Sequence, residues 1–220
     1  MTTRFVDRAQ AGSALAQALL TLDLRAPIVV LALPRGGVPV AAVIARALGA
    51  PLDLVLVRKI GVPFEPEWAV AAVAEGDPPV IVTDESVRRA AGVDTDYIAS
   101  EARREMEEIA RRRRVYLGRS TAPDRTGHTL ILVDDGMATG STMRAALRAV
   151  RRERPLAVVL AVPVAPPETL HSLGREFDHV VCLLQPAGFQ AVGDYYDDFH
   201  QVDDQEVIAE LHGSRPDHRA

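Results

Sequence analysis

The sequence predicts an α/β fold in which helices flank a mainly parallel, open sheet. Short apolar runs rich in β-branched residues recur along the chain, with helical patterns between them. Most of the runs are continuously apolar rather than alternating, as expected of strands buried on both faces of a parallel sheet. Strands are predicted at Ile28–Leu33, Leu52–Val57, Val80–Val82, Thr129–Val133, Ala157–Val162 and Val180–Leu184.

Helical patterns occupy most of the stretches between these strands. They lie at Ala9–Leu20, Val38–Leu48, Asp94–Leu117, Ser141–Arg152 and Pro167–Leu173, and a short final helix is predicted at Asp203–Leu211. The segment Gly61–Pro79 is rich in proline and acidic residues, and we expect either a mobile loop or a small hairpin over a site. No linker is evident, so residues 1–220 are expected to form one domain.

The composition is that of a globular protein from a reducing compartment. Of 220 residues 48% are hydrophobic, and the net charge is −5, which argues against a nucleic acid partner for the chain as a whole. The single cysteine, Cys182, excludes a disulfide framework. The sequence shows neither a signal peptide nor an apolar run that could span a bilayer, so we expect a cytoplasmic protein.

The basic run Arg111–Arg114 has two interpretations. It could contact nucleic acid, or it could belong to a solvated helix held by surface ion pairs. Glu107 and Glu108 precede the run at helical spacing, so its charges are matched by acids. We therefore favour the ion-paired helix.

Two segments share a plan of apolar strand, tight glycine-containing loop and helix. They are Val29–Val40 and Leu130–Thr142. In open α/β sheets ligands bind beyond the carboxyl ends of the strands, where helix N-termini offer free N–H groups and a positive dipole end. Both loops are therefore predicted to bind anionic groups.

The two loops offer different chemistry. The first holds Arg35 beside a Gly-Gly pair, which lets backbone and cation approach a phosphate or pyrophosphate. The second opens with Asp134 and Asp135 and continues into Thr139–Thr142, whose hydroxyls and N–H groups suit a phosphate monoester. The carboxylates would repel that phosphate, so they must face sugar hydroxyls, a metal ion, or both.

One ligand matches both loops: a ribose 5-phosphate that carries pyrophosphate on carbon 1. Arg58 and Lys59 follow a third predicted strand and would deliver two cations to the same edge. Lys59 is the only lysine among the 25 Lys and Arg residues. This suggests a position at which arginine could not replace lysine, because the two differ in shape and hydration. We interpret it as a donor to the pyrophosphate, whereas Arg58 is equally suited to a salt bridge or to a neighbouring subunit.

Other phosphate-binding and catalytic motifs are absent from the sequence. There is no Walker A loop, no dinucleotide fingerprint and no hydrolase nucleophile elbow, and the six histidines lack close metal-ligand spacing. An acid pair after a strand also occurs in receiver-like domains and Mg²⁺-dependent phosphatases. Such a domain using Asp134 is an alternative, but it leaves Arg35 and its glycines without a role.

The second loop resembles the signature of the type I phosphoribosyltransferases. That signature is a run of four apolar residues, two acids, two variable residues and a Thr-Gly-rich turn, and Leu130–Thr142 is similar to it almost throughout. The resemblance runs from about Val29 to Asp198. It is nearest to the stand-alone bacterial domain of poorly assigned acceptor, which is sometimes fused to hydrolase-like domains. It implies a five-stranded parallel sheet and a small hood, built from about residues 185–200 and N-terminal segments.

The resemblance also implies roles for individual residues. Lys59, Asp134 and Asp135 would be catalytic, with the acids on the ribose hydroxyls, and Gly61–Pro79 lies where the family has a closing loop. The residues implied to bind phosphoribosyl pyrophosphate are Arg35, Gly36, Gly37, Arg58, Lys59, Asp134, Asp135, Gly136, Met137, Ala138, Thr139, Gly140, Ser141 and Thr142.

The family further implies a cofactor and an acceptor pocket. Mg²⁺ would accompany the substrate and be held mainly by it, with Asp197 assisting. Phe189 or Tyr195 would stack on a base, although these aromatics are equally suited to a core and Asp197 to a surface. Family members are commonly dimers, so the resemblance allows a homodimer.

Ala138 departs from the family pattern for 6-oxopurines, which places an acid there beside the base. Alanine neither takes nor gives a proton, which argues against hypoxanthine or guanine. An orotate-type reaction needs no such acid, but its long basic catalytic loop is not evident in Gly61–Pro79. The predicted activity is transfer of ribose 5-phosphate to a nitrogenous base with release of pyrophosphate. The alternative is a sensor or regulator that binds the same sugar without turnover.

Overall fold

The computed structural model describes residues 4–118 and 123–213. Strands and helices alternate along this part of the chain. The strands are β1 (Ile28–Ala32), β2 (Leu52–Leu54), β3 (Val57–Val62), β4 (Glu65–Ala74), β5 (Val80–Thr83), β6 (Thr129–Val133), β7 (Ala157–Val164) and β8 (His179–Leu184). The α-helices are α1 (Arg8–Leu20), α2 (Gly37–Leu48), α3 (Glu85–Ala90), α4 (Thr95–Leu117), α5 (Ser141–Arg151), α6 (Pro167–Leu173) and α7 (Asp204–Gly213).

A five-stranded parallel sheet with the order β2-β1-β6-β7-β8 forms the centre of the fold. Alternate strand residues point to opposite faces, and helices cover both. Val30 and Ile131 pack in the cluster that includes α1 and α2, whereas Leu31 and Leu132 pack in the cluster that includes α5 and α6. All four side chains are fully buried. The predicted α/β fold with a mainly parallel sheet is confirmed.

A second sheet, antiparallel and with the order β3-β4-β5, corrects part of the sequence interpretation. Leu52–Val57, predicted as one strand, is divided at Val55–Leu56, where the chain passes from the parallel sheet to the antiparallel one. The predicted Val80–Val82 strand exists but lies in this second sheet. Of the two alternatives for Gly61–Pro79, the hairpin is the one observed, formed by β3 and β4. These boundaries were missed because no turn residue marks the division and because alanine, abundant in β4, has a weak strand preference.

The long helix α4 is held by ion pairs, as favoured from the sequence. Glu108 accepts hydrogen bonds from both Arg111 and Arg112 at 2.7 Å, and Arg113 pairs with Glu75 on β4 at 2.8 Å. The basic run is therefore largely neutralised within the chain. Among the described residues, no helix has the length and apolar character needed to cross a membrane.

Candidate functional site

The two glycine-containing loops emerge side by side at a point where the sheet changes direction. β1 and β6 are neighbours, but the chain leaves β1 towards β2 on one side and leaves β6 towards β7 on the other. The Leu33 N–H donates to the Val133 carbonyl at 2.9 Å and ties the two strand ends together. Such a switch point opens a crevice at the carboxyl edge of the sheet, which is where ligands bind in open α/β folds.

The glycines of the first loop pack directly against the acids of the second. A Cβ atom at Gly36 would lie 2.0 Å from Oδ2 of Asp135. At Gly37 it would lie 2.7 Å from the Val133 carbonyl oxygen and 2.9 Å from Cα of Asp134. Because no side chain fits in these contacts, glycine at both positions is what allows the two loops to meet.

The acid pair is largely buried, and the two carboxyl groups are electrostatically linked. Oδ1 of Asp134 accepts the Asp135 N–H at 2.9 Å, and Oδ2 of Asp135 accepts a hydrogen bond from Nε of Arg8 at 2.8 Å. Burial raises the pKa of Asp134, and the neighbouring Asp135 charge raises it further. Burial also raises the pKa of Asp135, but the Arg8 guanidinium opposes that shift. Burial therefore disfavours charge on both carboxyl groups, and the contact with Arg8 offsets this at Asp135.

Arg8 and the aromatic residues around it were missed from the sequence. Arg8 is only 7% exposed, its Nη1 donates to the His200 carbonyl at 2.9 Å, and its guanidinium lies 4.0 Å from the ring centre of Phe199. The Tyr196 hydroxyl donates to the backbone carbonyl of Asp135 at 2.6 Å. The one available signal was local, because a cation in the first turn of a helix opposes the helix dipole.

The turn before α5 leaves the N-terminus of that helix open to a ligand. Gly140 takes the N-cap position with φ 74°, a left-handed conformation, and no side chain caps the helix. The Thr139 and Ser141 hydroxyl oxygens lie 3.3 Å apart, and the Thr169 hydroxyl fixes the turn by donating to the Ala138 carbonyl at 2.6 Å. Uncapped N–H groups beside hydroxyls form an anion-binding arrangement.

The other residues of this segment have packing roles. A Cβ atom at Gly136 would lie 2.4 Å from a methyl of Val192, so this glycine allows the 3₁₀ turn at Val192–Tyr195 to approach the loop. Met137 is buried, and its N–H donates to the Val164 carbonyl at 2.9 Å. Thr142 is half-buried in the first turn of α5.

Arg35, at the centre of the first loop, is oriented by the last helix. Its Nη1 lies 3.6 Å from Oδ1 of Asp204 at the start of α7, and that same oxygen accepts a 2.7 Å hydrogen bond from the Tyr116 hydroxyl. Burial and Asp204 raise the pKa of Tyr116 to about 12. The peptide bond between Pro34 and Arg35 is cis. The Arg35 side chain is about a third exposed and faces the opening of the crevice with Gly36 and Asp135.

Arg58 and Lys59 are not brought to one place, contrary to the expectation from the sequence. Both lie within β3, where adjacent side chains point to opposite faces of the sheet. Arg58 faces α4 and bonds Glu105 at 2.7 Å. Lys59 shares the other face with Val57, which packs against α5, and it is exposed without a hydrogen bond or ion pair to any described residue. Of these two cations, Lys59 is therefore the one left for an anionic ligand.

The aromatic pair proposed for an acceptor is already self-associated. The rings of Phe189 and Tyr195 stack at a centroid distance of 5.7 Å with planes 12° apart, so each covers one face of the other. The segment that carries Tyr195 pairs with the N-terminal residues, since Phe5 N–H donates to the Tyr195 carbonyl at 2.8 Å. This pairing brings together the two stretches that were expected to form a hood.

A metal ion fits this site only if the substrate supplies most of its ligands. The described residues contain no group of three or more His, Cys, Asp or Glu side chains that could hold one. Asp197 is exposed beside Arg4, 3.8 Å from its Nε, and this neighbouring cation disfavours a metal there.

A five-stranded parallel sheet with helices on both faces and a small antiparallel sheet beside it is the type I phosphoribosyltransferase fold. A sequence model of the phosphoribosyl transferase domain matches residues 6–183, and the chain belongs to this family.

Similar proteins cover nearly the whole chain. The crystal structure of TT1426 from Thermus thermophilus is 46% identical, with a TM-score of 0.79, and the match covers 97% of this chain and 100% of that one. A protein of Mycobacterium tuberculosis, whose phosphoribosyl transferase name is provisional, is 44% identical over 208 residues. That match covers 94% of this chain but 46% of the relative, so the chain spans about half the length of the curated relatives it matches.

Proposed function

We propose that this chain binds phosphoribosyl pyrophosphate with Mg²⁺ and transfers its ribose 5-phosphate to a nitrogenous base, releasing pyrophosphate. The contact between the two loops carries the proposal. Gly36 and Gly37 pack the loop of Arg35 against the acid pair, and the segment of those acids continues into the open N-terminus of α5. A sugar with phosphate at one end and pyrophosphate at the other matches this order of groups.

The acid pair suits a vicinal diol. The hydrogen bonds from Arg8 and from the Asp135 backbone use one oxygen of each carboxyl group. The second oxygen of each would accept from a ribose hydroxyl, and two acceptors are what two adjacent hydroxyls need. The 5′-phosphate would then lie on the Thr139–Thr142 turn, where N–H groups and hydroxyls point outward.

The proposed catalysis stabilises the charges that develop on the ribose and on the leaving group. As the bond from carbon 1 to pyrophosphate breaks, positive charge grows on the ribose and negative charge on the leaving group. Asp134 and Asp135 would hold the ribose and stabilise its cationic form, and Arg35 and Lys59 would donate to the pyrophosphate. Mg²⁺, held mainly by the pyrophosphate oxygens, would supply further positive charge to the leaving group. No covalent bond to the protein is required.

The identity of the acceptor is constrained by Ala138. A 6-oxopurine gains from an acid beside its ring nitrogen, and neither Ala138 nor the carbonyl-bound Thr169 provides one. We therefore expect an acceptor nitrogen that reacts without a proton exchange at this position.

Pyrophosphate release tests the proposal directly. The protein is incubated with phosphoribosyl pyrophosphate, Mg²⁺ and a panel of purines, pyrimidines and other nitrogen nucleophiles, and pyrophosphate is followed by a coupled assay. We expect release with at least one acceptor and its loss in the Asp134→Asn, Asp135→Asn double variant. Unchanged affinity for the sugar in that variant would refute the assignment of the acids.

A sensor without turnover is the second candidate, and the self-stacked pair of Phe189 and Tyr195 favours it. With these rings covering each other, the residues proposed to hold a base offer it less surface. A sensor would bind phosphoribosyl pyrophosphate with Mg²⁺ and release no pyrophosphate with any acceptor of the panel.

A further inference from the structure

Arg8 lies where local forces alone would not place an arginine. It is the first residue of α1, where the helix dipole disfavours a cation. The Asp7 side chain caps the helix by accepting a hydrogen bond from the Gln10 N–H at 2.7 Å, so Arg8 is not needed to cap it. A guanidinium at 7% exposure also loses most of its hydration. Tertiary partners must therefore offset both costs.

Those partners hold the guanidinium in one orientation. Nε donates to Oδ2 of Asp135 at 2.8 Å, Nη1 donates to the His200 carbonyl at 2.9 Å, and the ring centre of Phe199 lies 4.0 Å away. A carboxylate, a carbonyl and an aromatic face together fix the position and the plane of the group.

The hydrogen bond from Arg8 also fixes Asp135 through its Oδ2 atom. That oxygen lies between Arg8 and Gly36, where even a Cβ atom would come within 2.0 Å. The Tyr196 hydroxyl holds the backbone of Asp135 through its carbonyl at 2.6 Å. With Oδ2 bonded to Arg8 and the backbone held by Tyr196, Oδ1 is the oxygen of Asp135 that neither residue occupies.

We infer that Arg8 is a positioning residue for the sugar, which holds Oδ2 of Asp135 so that Oδ1 is directed at a ribose hydroxyl. The inference rests on the proposed function, because it assigns part of the phosphoribosyl pyrophosphate site. Arg8 acts through Asp135 and not on the phosphates. Its loss should therefore weaken binding of the sugar and leave binding of inorganic pyrophosphate unchanged.

A double-mutant cycle separates this role from a general structural one. The variants are Arg8→Met, which keeps the length of the stem, Asp135→Asn and the double variant, with Arg8→Lys as the conservative change. Arg104→Met is the matched control, because Arg104 is 75% exposed and pairs with Glu101 on α4. Affinities for phosphoribosyl pyrophosphate with Mg²⁺, and separately for inorganic pyrophosphate, are measured by calorimetry. Thermal melting establishes that each variant is folded.

We expect Arg8→Met to weaken sugar binding about tenfold or more, in line with the loss of a charge-assisted hydrogen bond. Arg8→Lys should recover part of the loss, and Arg104→Met should bind as the wild type does. In the Asp135→Asn background the Arg8→Met change should add little, because the carboxylate it positions is gone. If Arg8→Met does not fold, Arg8→Lys completes the same cycle.

Either of two results would overturn this inference and leave the proposed function intact. One is that the effects of the Arg8 and Asp135 changes on sugar affinity are additive. The other is that Arg8→Met lowers the affinity for pyrophosphate as much as the affinity for the sugar. Wild-type protein that does not bind phosphoribosyl pyrophosphate at all would overturn the proposed function and this inference with it. If the wild-type protein binds the sugar without turnover, the cycle can still be measured, because it depends only on affinity. The inference is therefore testable in a sensor as well as in a transferase.

Discussion

Replacing Gly36 with alanine should damage the sugar site through a displacement of about 1 Å. The new Cβ would lie 2.0 Å from Oδ2 and 2.5 Å from Cγ of Asp135, whereas real Cβ contacts do not fall below 3.0 Å. If the carboxylate retreats by that difference, about 1 Å, the 2.8 Å hydrogen bond to Arg8 loses its geometry, because Oδ2 lies between Gly36 and Arg8. If the loop retreats instead, Arg35 moves with it and its 3.6 Å ion pair with Asp204 is disturbed.

Either displacement removes a charge-assisted interaction of about 1.5–3 kcal/mol, which corresponds to about 10- to 150-fold in affinity. Overpacking should also lower the free energy of unfolding by about 1–3 kcal/mol. The assay is calorimetric titration with phosphoribosyl pyrophosphate and Mg²⁺, alongside chemical denaturation. Gly213→Ala is the control, because a Cβ atom there meets no atom of residues 4–118 or 123–213 within 4 Å. Wild-type affinity in a folded Gly36→Ala variant would refute the assigned contact between the loops.

Three further predictions address single side chains. Burial raises the pKa of Asp134, so its ionisation destabilises the folded state at neutral pH. Asp134→Asn should therefore raise the melting temperature at neutral pH, and the gain should vanish below about pH 4, where the carboxyl is protonated in both states; a constant gain across pH would contradict this. Tyr116→Phe should lower the free energy of unfolding by about 1 kcal/mol, measured by urea denaturation, because Asp204 loses its 2.7 Å hydrogen bond; no loss would show that water replaces the hydroxyl. Lys59→Met should weaken binding of phosphoribosyl pyrophosphate about tenfold, whereas Arg58→Met should change only stability, by about 1 kcal/mol or less; equal effects on affinity would mean that both cations reach the ligand.

The sequence was sufficient for those parts of the fold that depend on local pattern. β1, β6 and β7 appear as apolar runs, because burial on both faces imposes one, and the predicted helices lie within a few residues of the observed ones, whereas α3 was not predicted. β4 was expected only as part of one of two alternatives, because its outer half is polar and its inner half is mostly alanine, so it lacks the alternation of a half-buried strand.

The candidate site, too, could be predicted only where it depends on local sequence. The residues of the loops could be named in advance because each loop is continuous in sequence and its residue types report the chemistry it offers. Arg8 could not, because its partner Asp135 lies 127 positions further along the chain. The opposite faces of Arg58 and Lys59 depended on knowing that both lie inside a strand rather than beyond its end.

The environment of Asp135 links ligand binding to the cooperativity of the whole chain. Its contacts come from the first turn of α1, the loop after β1 and the segment at Tyr196, which are separated by most of the sequence. A partly unfolded chain that releases any one of them loses the geometry of the acid, so a sugar that requires this geometry binds only the complete fold. At a hundredfold excess over its dissociation constant, such a ligand adds about 2.7 kcal/mol to the free energy of unfolding. That gain would protect backbone amides from hydrogen exchange in helices distant from the crevice as well as beside it.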